Sequence, residues 1–347
     1  MFPVAFADSV VERFTKPGDL VLDPFAGRGT AIFSAAVRGR SGIGIELNPV
    51  GWVYGKTKLS PASYELVAKR LQEIDVLSAS YGITAKNLPE FFEHCYCLEI
   101  RKFLLAAREN LDWRKCRVDR TCMAILMVYL HGKREASLSN QMMQTKSMSP
   151  DYAIAWWKGK NLKPPEFEPI DFLSKRLEWR YAKGVPSIKG SDIYLDDSVK
   201  RLPKIYKHIE RSQDKRISLV LTSPPYYNIT NYHYDQWLRL WLLGGDSHPR
   251  NMHESYRGKF SNREKYRILL KEVFSQTAKM MNEEGVIYVR TDNRTFTYET
   301  TVNVLSEIFP QKKIHKFLRP VSGRTQTDLF NKANDQLGEV DLVLISA

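Results

Sequence analysis

Seven short apolar runs punctuate the chain, at Leu20–Asp23, Ile43–Glu46, Ile193–Leu195, Ile217–Leu221, Val286–Arg290, Lys313–Leu318 and Val340–Ile345. Each has the length of a strand and reads as one. Between the second and third runs the period changes. Tyr64, Val67, Leu71 and Ile74 share one helical face up to Gly82, after a Ser60-Pro61 pair that suits an N-cap and first turn. Phe91–Asn110 and Thr121–Leu130 also read as helices. Lys163-Pro164-Pro165 and Gly184-Val185-Pro186 mark the return to strands. The pattern predicts one sheet built from residues 1–58 and 189–347, split by a largely helical insertion over 59–188. There is no internal repeat or low-complexity tract.

Residues able to do chemistry lie where these runs stop. Thr222-Ser223-Pro224-Pro225-Tyr226 follows Ile217–Leu221. Prolines lack an N–H and fix φ, so the chain must leave the sheet rigidly and present an aromatic ring at its tip. Open α/β sheets bind ligands at such carboxyl ends. A hydroxyl, free turn carbonyls and a tyrosine ring suit a flat heterocycle with an exocyclic amine. The oxygens accept the amine hydrogens while the ring stacks on the base face. An ordinary strand-ending turn has the same composition, so the rest of the chain must support the site.

Support comes from the N-terminus. Asp19–Asp23 runs into a turn at Phe25-Ala26-Gly27-Arg28-Gly29-Thr30 and then a helix over Ala31–Val37. Gly27 and Gly29 let backbone approach a ligand where a Cβ would collide. Glu46 ends the next strand 23 positions after Asp23, about the spacing at which an acid meets ribose hydroxyls. No lysine follows the glycines, which disfavours a P-loop.

Together these segments resemble the S-adenosylmethionine-dependent DNA amino-methyltransferases. Phe2-Pro3 with Phe6–Phe14 looks like motif X, Asp23–Thr30 like motif I, and Gly44-Ile45-Glu46 like motif II. Asp197-Ser198 looks like motif III and Thr222–Tyr226 like motif IV, in the Ser-Pro-Pro-Tyr form most associated with cytosine N4. The order of cofactor half, insertion and catalytic half is that of the α group, whereas the wording D-P-F-A-G-R-G-T is closer to the β group. The implied fold is α/β: a Rossmann-like seven-stranded sheet, mostly parallel with one antiparallel strand. The implied cofactor is S-adenosylmethionine, held by Phe2, Pro3, Asp23, Phe25, Gly27, Gly29, Thr30, Glu46 and Asp197. Glu46 would take the ribose and Asp197 the adenine amine. Catalysis would fall to Ser223, Pro224, Pro225 and Tyr226, which draw the amine hydrogens out of plane before direct displacement at the methyl group. Adenine N6 is the nearest alternative target. RNA or a protein glutamine, and a non-catalytic DNA-binding subunit, are the further ones.

Charge agrees with a polyanionic partner. Lys and Arg number 52 against 39 acids, a formal charge of +13 and a pI near 9.4. The implied partner is double-stranded DNA, with a cognate restriction endonuclease as a further candidate. The insertion is the expected target-recognition region, with a basic cluster around Trp113 and a polar loop from His131 to Lys146 expected to be exposed. Candidate contacts are Arg114, Lys115, Arg117, Lys133 and Arg134, joined by Arg257 and Arg263 after motif IV. Solvated charges are the bland alternative at each position. Trp156-Trp157, Trp237 and Trp241 are expected in the core, with Asp235 capping the helix that carries the last two.

Cys95, Cys97, Cys116 and Cys122 have neither a disulfide-framework setting nor common zinc spacing, so no metal is expected. None lies near a nucleophilic Pro-Cys pattern, which argues against C5 methylation. The longest apolar run, Cys122–Leu130, is far short of the ~20 residues that span a bilayer. Met1–Ala7 lacks a basic n-region and is cut off by Asp8, so a cytoplasmic protein without a signal peptide is expected.

Overall fold

A computed structural model describes residues 2–212, 216–228, 232–249, 262–319 and 338–346. Chain order begins α1 (Val4–Phe14), β1 (Leu20–Asp23), α2 (Thr30–Val37), β2 (Ser41–Glu46) and α3 (Pro49–Leu59). The insertion holds α4 (Tyr64–Ser78), α5 (Gly82–Lys86), α6 (Glu90–Cys95), α7 (Leu98–Asn110), α8 (Arg117–Tyr129), α9 (Pro150–Gly159) and α10 (Pro169–Tyr181). Then follow β3 (Ser191–Leu195), α11 (Ser198–Ser212), β4 (Ile217–Thr222), α12 (Tyr232–Asp235) and α13 (Trp237–Leu242). The chain closes with α14 (Arg263–Ala278), β5 (Met281–Asp292), α15 (Thr295–Ile308), β6 (Lys312–Arg319) and β7 (Glu339–Ser346).

All seven apolar runs are strands of one sheet, in the order β3-β2-β1-β4-β5-β7-β6. β3, β2, β1, β4 and β5 pair in parallel, and β7 runs antiparallel to both β5 and β6. This is the mostly parallel, one-antiparallel-strand architecture expected from the sequence. The reason is burial on both faces. Leu20 and Leu22 enter one core with α11, α14 and α15, while Val21 enters the other with α1 and α2. Ile287 and Val289 alternate in the same way with Val286 and Tyr288 on β5. A strand covered twice loses its polar alternation and becomes a continuous apolar run.

The chain steps outward from β1 to β2 and β3, then returns to place β4 on the other side of β1. The β1/β4 boundary is therefore a topological switch point, where the connections diverge and leave a crevice at the strands' carboxyl ends. Asp23 and Thr222 are the last residues of these two strands.

The chain divides into two compact units. The first comprises 1–59, 187–230 and 252–347 and contains the sheet; the second comprises 60–186 and 231–251. The second unit thus takes in α12 and α13 as well as the insertion. Its core includes Phe91, Phe92, Trp157, Trp237 and Trp241, with Phe91–Trp237 and Phe92–Trp241 ring centroids 4.9 and 4.5 Å apart. Trp156 is only half-buried.

Three local expectations need correction. The loop expected to be exposed from His131 to Lys146 is buried over its middle, Ser137–Asn140, with Ser139 and Asn140 at 0% exposure, while Lys133, Glu135, Ala136 and Met143–Thr145 are exposed. Its polar side chains serve backbone groups: Asn140 donates to the carbonyls of His94 and Leu162, both at 3.1 Å, and His131 meets the Met143 carbonyl at 2.7 Å. Polarity in that buried stretch satisfies backbone groups rather than meeting solvent. Ser63, not Ser60, caps α4, because Ala62 just before it is tied down by Thr121 and Tyr181. Asp235 closes α12, and Gln236 occupies the N-cap of α13.

Candidate active site

The glycine turn after β1 is built around the Glu46 carboxylate. Its Oε2 accepts the Gly27 amide at 2.6 Å and its Oε1 the Asn48 amide at 2.7 Å, so one side chain pins both loops. Gly27 and Gly29 have φ of +54° and +70°, the left-handed region that glycine enters without strain. A Cβ on Gly29 would lie 2.5 Å from Ile193 and 3.0 Å from Gly55, so the turn packs there as bare backbone. A Cβ on Gly27 would meet nothing within 4 Å; the turn borders open space on that side. An acceptor carboxylate, free lone pairs and approachable backbone fit the ribose end of S-adenosylmethionine. Removal from water pushes Glu46 up to about 7, against the amides of Asn48 and Gly27, and the nearby Asp23 carboxylate adds to the rise.

Asp23 is buried, at 2% exposure, and its Oδ1 accepts both the Phe25 amide at 3.1 Å and the Thr222 hydroxyl at 2.7 Å. Burial pushes it up to about 7 even so. Its place is structural support behind the site rather than its lining. Ser198 performs a parallel task, donating to the Pro24 carbonyl from the start of α11. Asp197 is half-buried and accepts the Val199 amide at 2.9 Å through Oδ1, an Asx turn that opens α11. Phe2 is buried in the core, Pro3 is exposed, Phe25 is half-buried against the opposite core, and Thr30 is buried at the start of α2.

The Pro-Pro turn leaves β4 beside these loops. Ser223 Oγ lies 3.5 Å from the Tyr226 hydroxyl, the limit of a hydrogen bond, and Tyr226 in turn donates to Glu339 at 2.9 Å. Glu339 opens β7 and pairs with Arg290 at 3.6 Å. Asp341 clamps Arg290 through bonds of 2.7 and 3.0 Å, and also accepts from Tyr288 and Arg319. The Arg290 guanidinium lies 3.8 Å from the Phe6 ring centroid, which joins the network to α1. Burial, then the Glu339 charge, holds the Tyr226 phenol well above its ordinary value. On the far side of the turn, Arg294 donates to the Tyr227 carbonyl at 2.6 Å and to Asp292 at 2.8 Å. The Tyr227 ring packs on Phe296, centroids 4.7 Å apart. The turn is therefore fixed at Thr222, Tyr226 and Tyr227 by three different strands or helices.

Sequence reasoning assigned no role to Glu339, Arg290, Asp341 or Arg294. The available signal was charge inside apolar runs: Arg290 after Val286–Val289 and Asp341 within Val340–Ile345. Buried charges need partners, and these two strands pair.

With α1, β1, the glycine turn and β2 placed, the N-terminal segment can be compared with known proteins. Residues 1–50 match the N6/N4 DNA methylase family. The matched segment carries Asp23, Gly27, Gly29 and Glu46. A 45-residue stretch is 49% identical to YubD of Escherichia coli (strain K12), a methylase by name; it is 13% of this chain and spans a fifth (20%) of that relative. Among solved structures, an rRNA methylase from Streptococcus thermophilus aligns with a TM-score of 0.35 at 7% identity, over 100% of this chain and 97% of that one. The rRNA methyltransferase aviRa from Streptomyces viridochromogenes aligns at 0.35 and 12% identity, over 99% and 85%.

The candidate nucleic-acid contacts lie outside the matched segment. Arg114, Lys115 and Arg117 are exposed, and Arg114 stacks 4.3 Å from the Trp113 ring centroid. Arg120 is instead buried and donates to the Trp113 and Arg114 carbonyls. Lys133 is exposed and Arg134 pairs with Glu135. Arg263 is exposed over the Phe296 ring at 4.9 Å, in the first unit. Arg257 lies outside the described residues. Among the described residues no helix is long and apolar enough to cross a membrane, and no cluster of His, Cys, Asp or Glu forms a metal site.

Proposed function

We propose that this protein is an S-adenosylmethionine-dependent DNA methyltransferase acting on the exocyclic amine of a base, with cytosine N4 as the preferred target. The observation that carries the proposal is the bond between Asp23 and Thr222 across the switch point, which holds the glycine turn and the Ser-Pro-Pro-Tyr turn to one crevice. The family match over residues 1–50 supports the class of chemistry.

Glu46 holds the ribose hydroxyls through the lone pairs its two amide contacts leave free. Asp197, which follows β3 and opens α11 through its bond to the Val199 amide, takes the adenine amine. When bound, S-adenosylmethionine supplies an electrophilic methyl group. Tyr226 stacks on the flipped base. Ser223 Oγ and the Pro224 carbonyl accept the amine hydrogens, which localises the nitrogen lone pair. The chain from Ser223 through Tyr226 to Glu339 directs the serine hydrogen away from the amine and leaves an oxygen lone pair facing it. The test is isotope-labelled methyl transfer to duplex DNA, followed by nucleoside mass spectrometry, with Ser223→Ala and Tyr226→Ala as controls. N6-methyladenine as product would move the target to the alternative base while keeping the class.

A further inference from the structure

The second unit carries a tryptophan with no core role. Trp179, on α10, is 74% exposed, whereas α10 buries Phe172, Leu173 and Leu177. At about 100° per residue, Lys175, Trp179, Arg176 and Arg180 fall within an arc of about 140° on α10, Lys183 follows just past its end, and Asp171 and Glu178 border the arc at its Lys175 edge. Arg180 sits 5.9 Å from the Trp179 ring centroid and 5.1 Å from that of Tyr129. Arg176 lies over Phe172 at 3.3 Å and donates to the Glu135 carbonyl at 3.1 Å, which sets the loop of Lys133 and Arg134 beside this flank. Among the described residues no carboxylate forms an ion pair with Lys175, Arg176, Arg180 or Lys183. The Arg176 guanidinium, partly desolvated, is held below its ordinary value. Four cations outnumber the two acids at the edge of this surface and, interleaved with aromatic rings, suit a polyanion that also offers apolar sugar edges.

We propose that this α10 flank is a duplex-DNA contact surface of the second unit, with Trp179 as its apolar anchor and the cations on phosphates. This rests on the DNA methyltransferase function above, and shifts the expected contact away from Arg114, Lys115 and Arg117. The test uses the full chain and a fluorescently labelled duplex, read by anisotropy across a salt series. Trp179→Ala is expected to weaken binding roughly tenfold, a typical loss for a ring that packs on nucleic acid. Lys175→Gln and Lys183→Gln, neither of which breaks an ion pair, should each reduce the slope of log K against log salt by about 0.9. Melting temperature and S-adenosylmethionine affinity should match the parent in all three. A parent that binds and methylates duplex DNA, with variants that equal it in affinity and slope, overturns the α10 assignment alone. Tighter binding of RNA than of duplex DNA of equal length also overturns it. A parent that neither binds nor methylates DNA overturns the function itself.

Discussion

Thr222 donates a buried 2.7 Å hydrogen bond to Asp23, across 199 positions of sequence and between the adjacent ends of β4 and β1. The bond couples the two halves of the site. Asp23 is nearly inaccessible, so its carboxylate acts through the geometry of the Phe25 amide and the Thr222 hydroxyl. Thr222→Val keeps the shape and removes the donor. It should cost about 1–3 kcal/mol of stability, the range for a buried polar group left short of a partner. Cofactor affinity and transfer rate should fall together, because one bond serves both loops. Thermal unfolding, calorimetric titration and single-turnover rates on this variant check the coupling.

Glu46 provides a pH signature. Its folded-state value of about 7 lies above that of an exposed glutamate, so between roughly 4.3 and 7 the folded protein binds more protons than the unfolded chain. Stability contributed by this group is thus greatest at the acidic end of that window and is lost as pH rises through about 7. Cofactor affinity should move the opposite way, since ribose hydroxyls need the ionised acceptor. Glu46→Gln should flatten both trends relative to the parent. At pH 8, Glu46→Ala should weaken S-adenosylmethionine binding by roughly tenfold to a hundredfold, the loss of one charge-assisted bond. Titration calorimetry and melting curves from pH 5.5 to 8.5 separate these effects; unchanged affinity in Glu46→Ala contradicts the ribose role.

How much of this was legible in the chain depends on the range of the interaction. The strands were legible because two-sided burial writes itself as a continuous apolar run, and the glycine and Pro-Pro turns because their backbone demands are local. Glu339 was not: its importance comes from Tyr226, 113 positions away, and from the antiparallel pairing that brings Asp341 opposite Arg290. The loop around Asn140 misled for a related reason. Its polar residues look solvated in sequence, and only the fold reveals the carbonyls of His94 and Leu162 that they serve.

The Tyr226–Glu339 contact separates ring from hydroxyl. Tyr226→Ala should weaken capture of the base substantially, as base–aromatic stacking is typically worth ~1–3 kcal/mol. Tyr226→Phe keeps the stacking face and loses the tether, so transfer should slow while much activity survives. Glu339→Ala should slow it to a similar degree with cofactor affinity unchanged. If Glu339 acts through the tyrosine hydroxyl, the double variant Tyr226→Phe/Glu339→Ala should be no slower than the slower single one. Additive losses in single-turnover rate would assign Glu339 a separate role.

The most direct measurement is methyl transfer itself. The purified chain, duplex DNA and S-adenosylmethionine carrying a deuterated methyl group are incubated, and the DNA is digested to nucleosides for mass spectrometry. The expected product is deuterated N4-methylcytosine, reduced in Ser223→Ala and strongly reduced in Tyr226→Ala. Cofactor binding without any labelled nucleoside in DNA, with the label instead in RNA or on protein, would contradict the account.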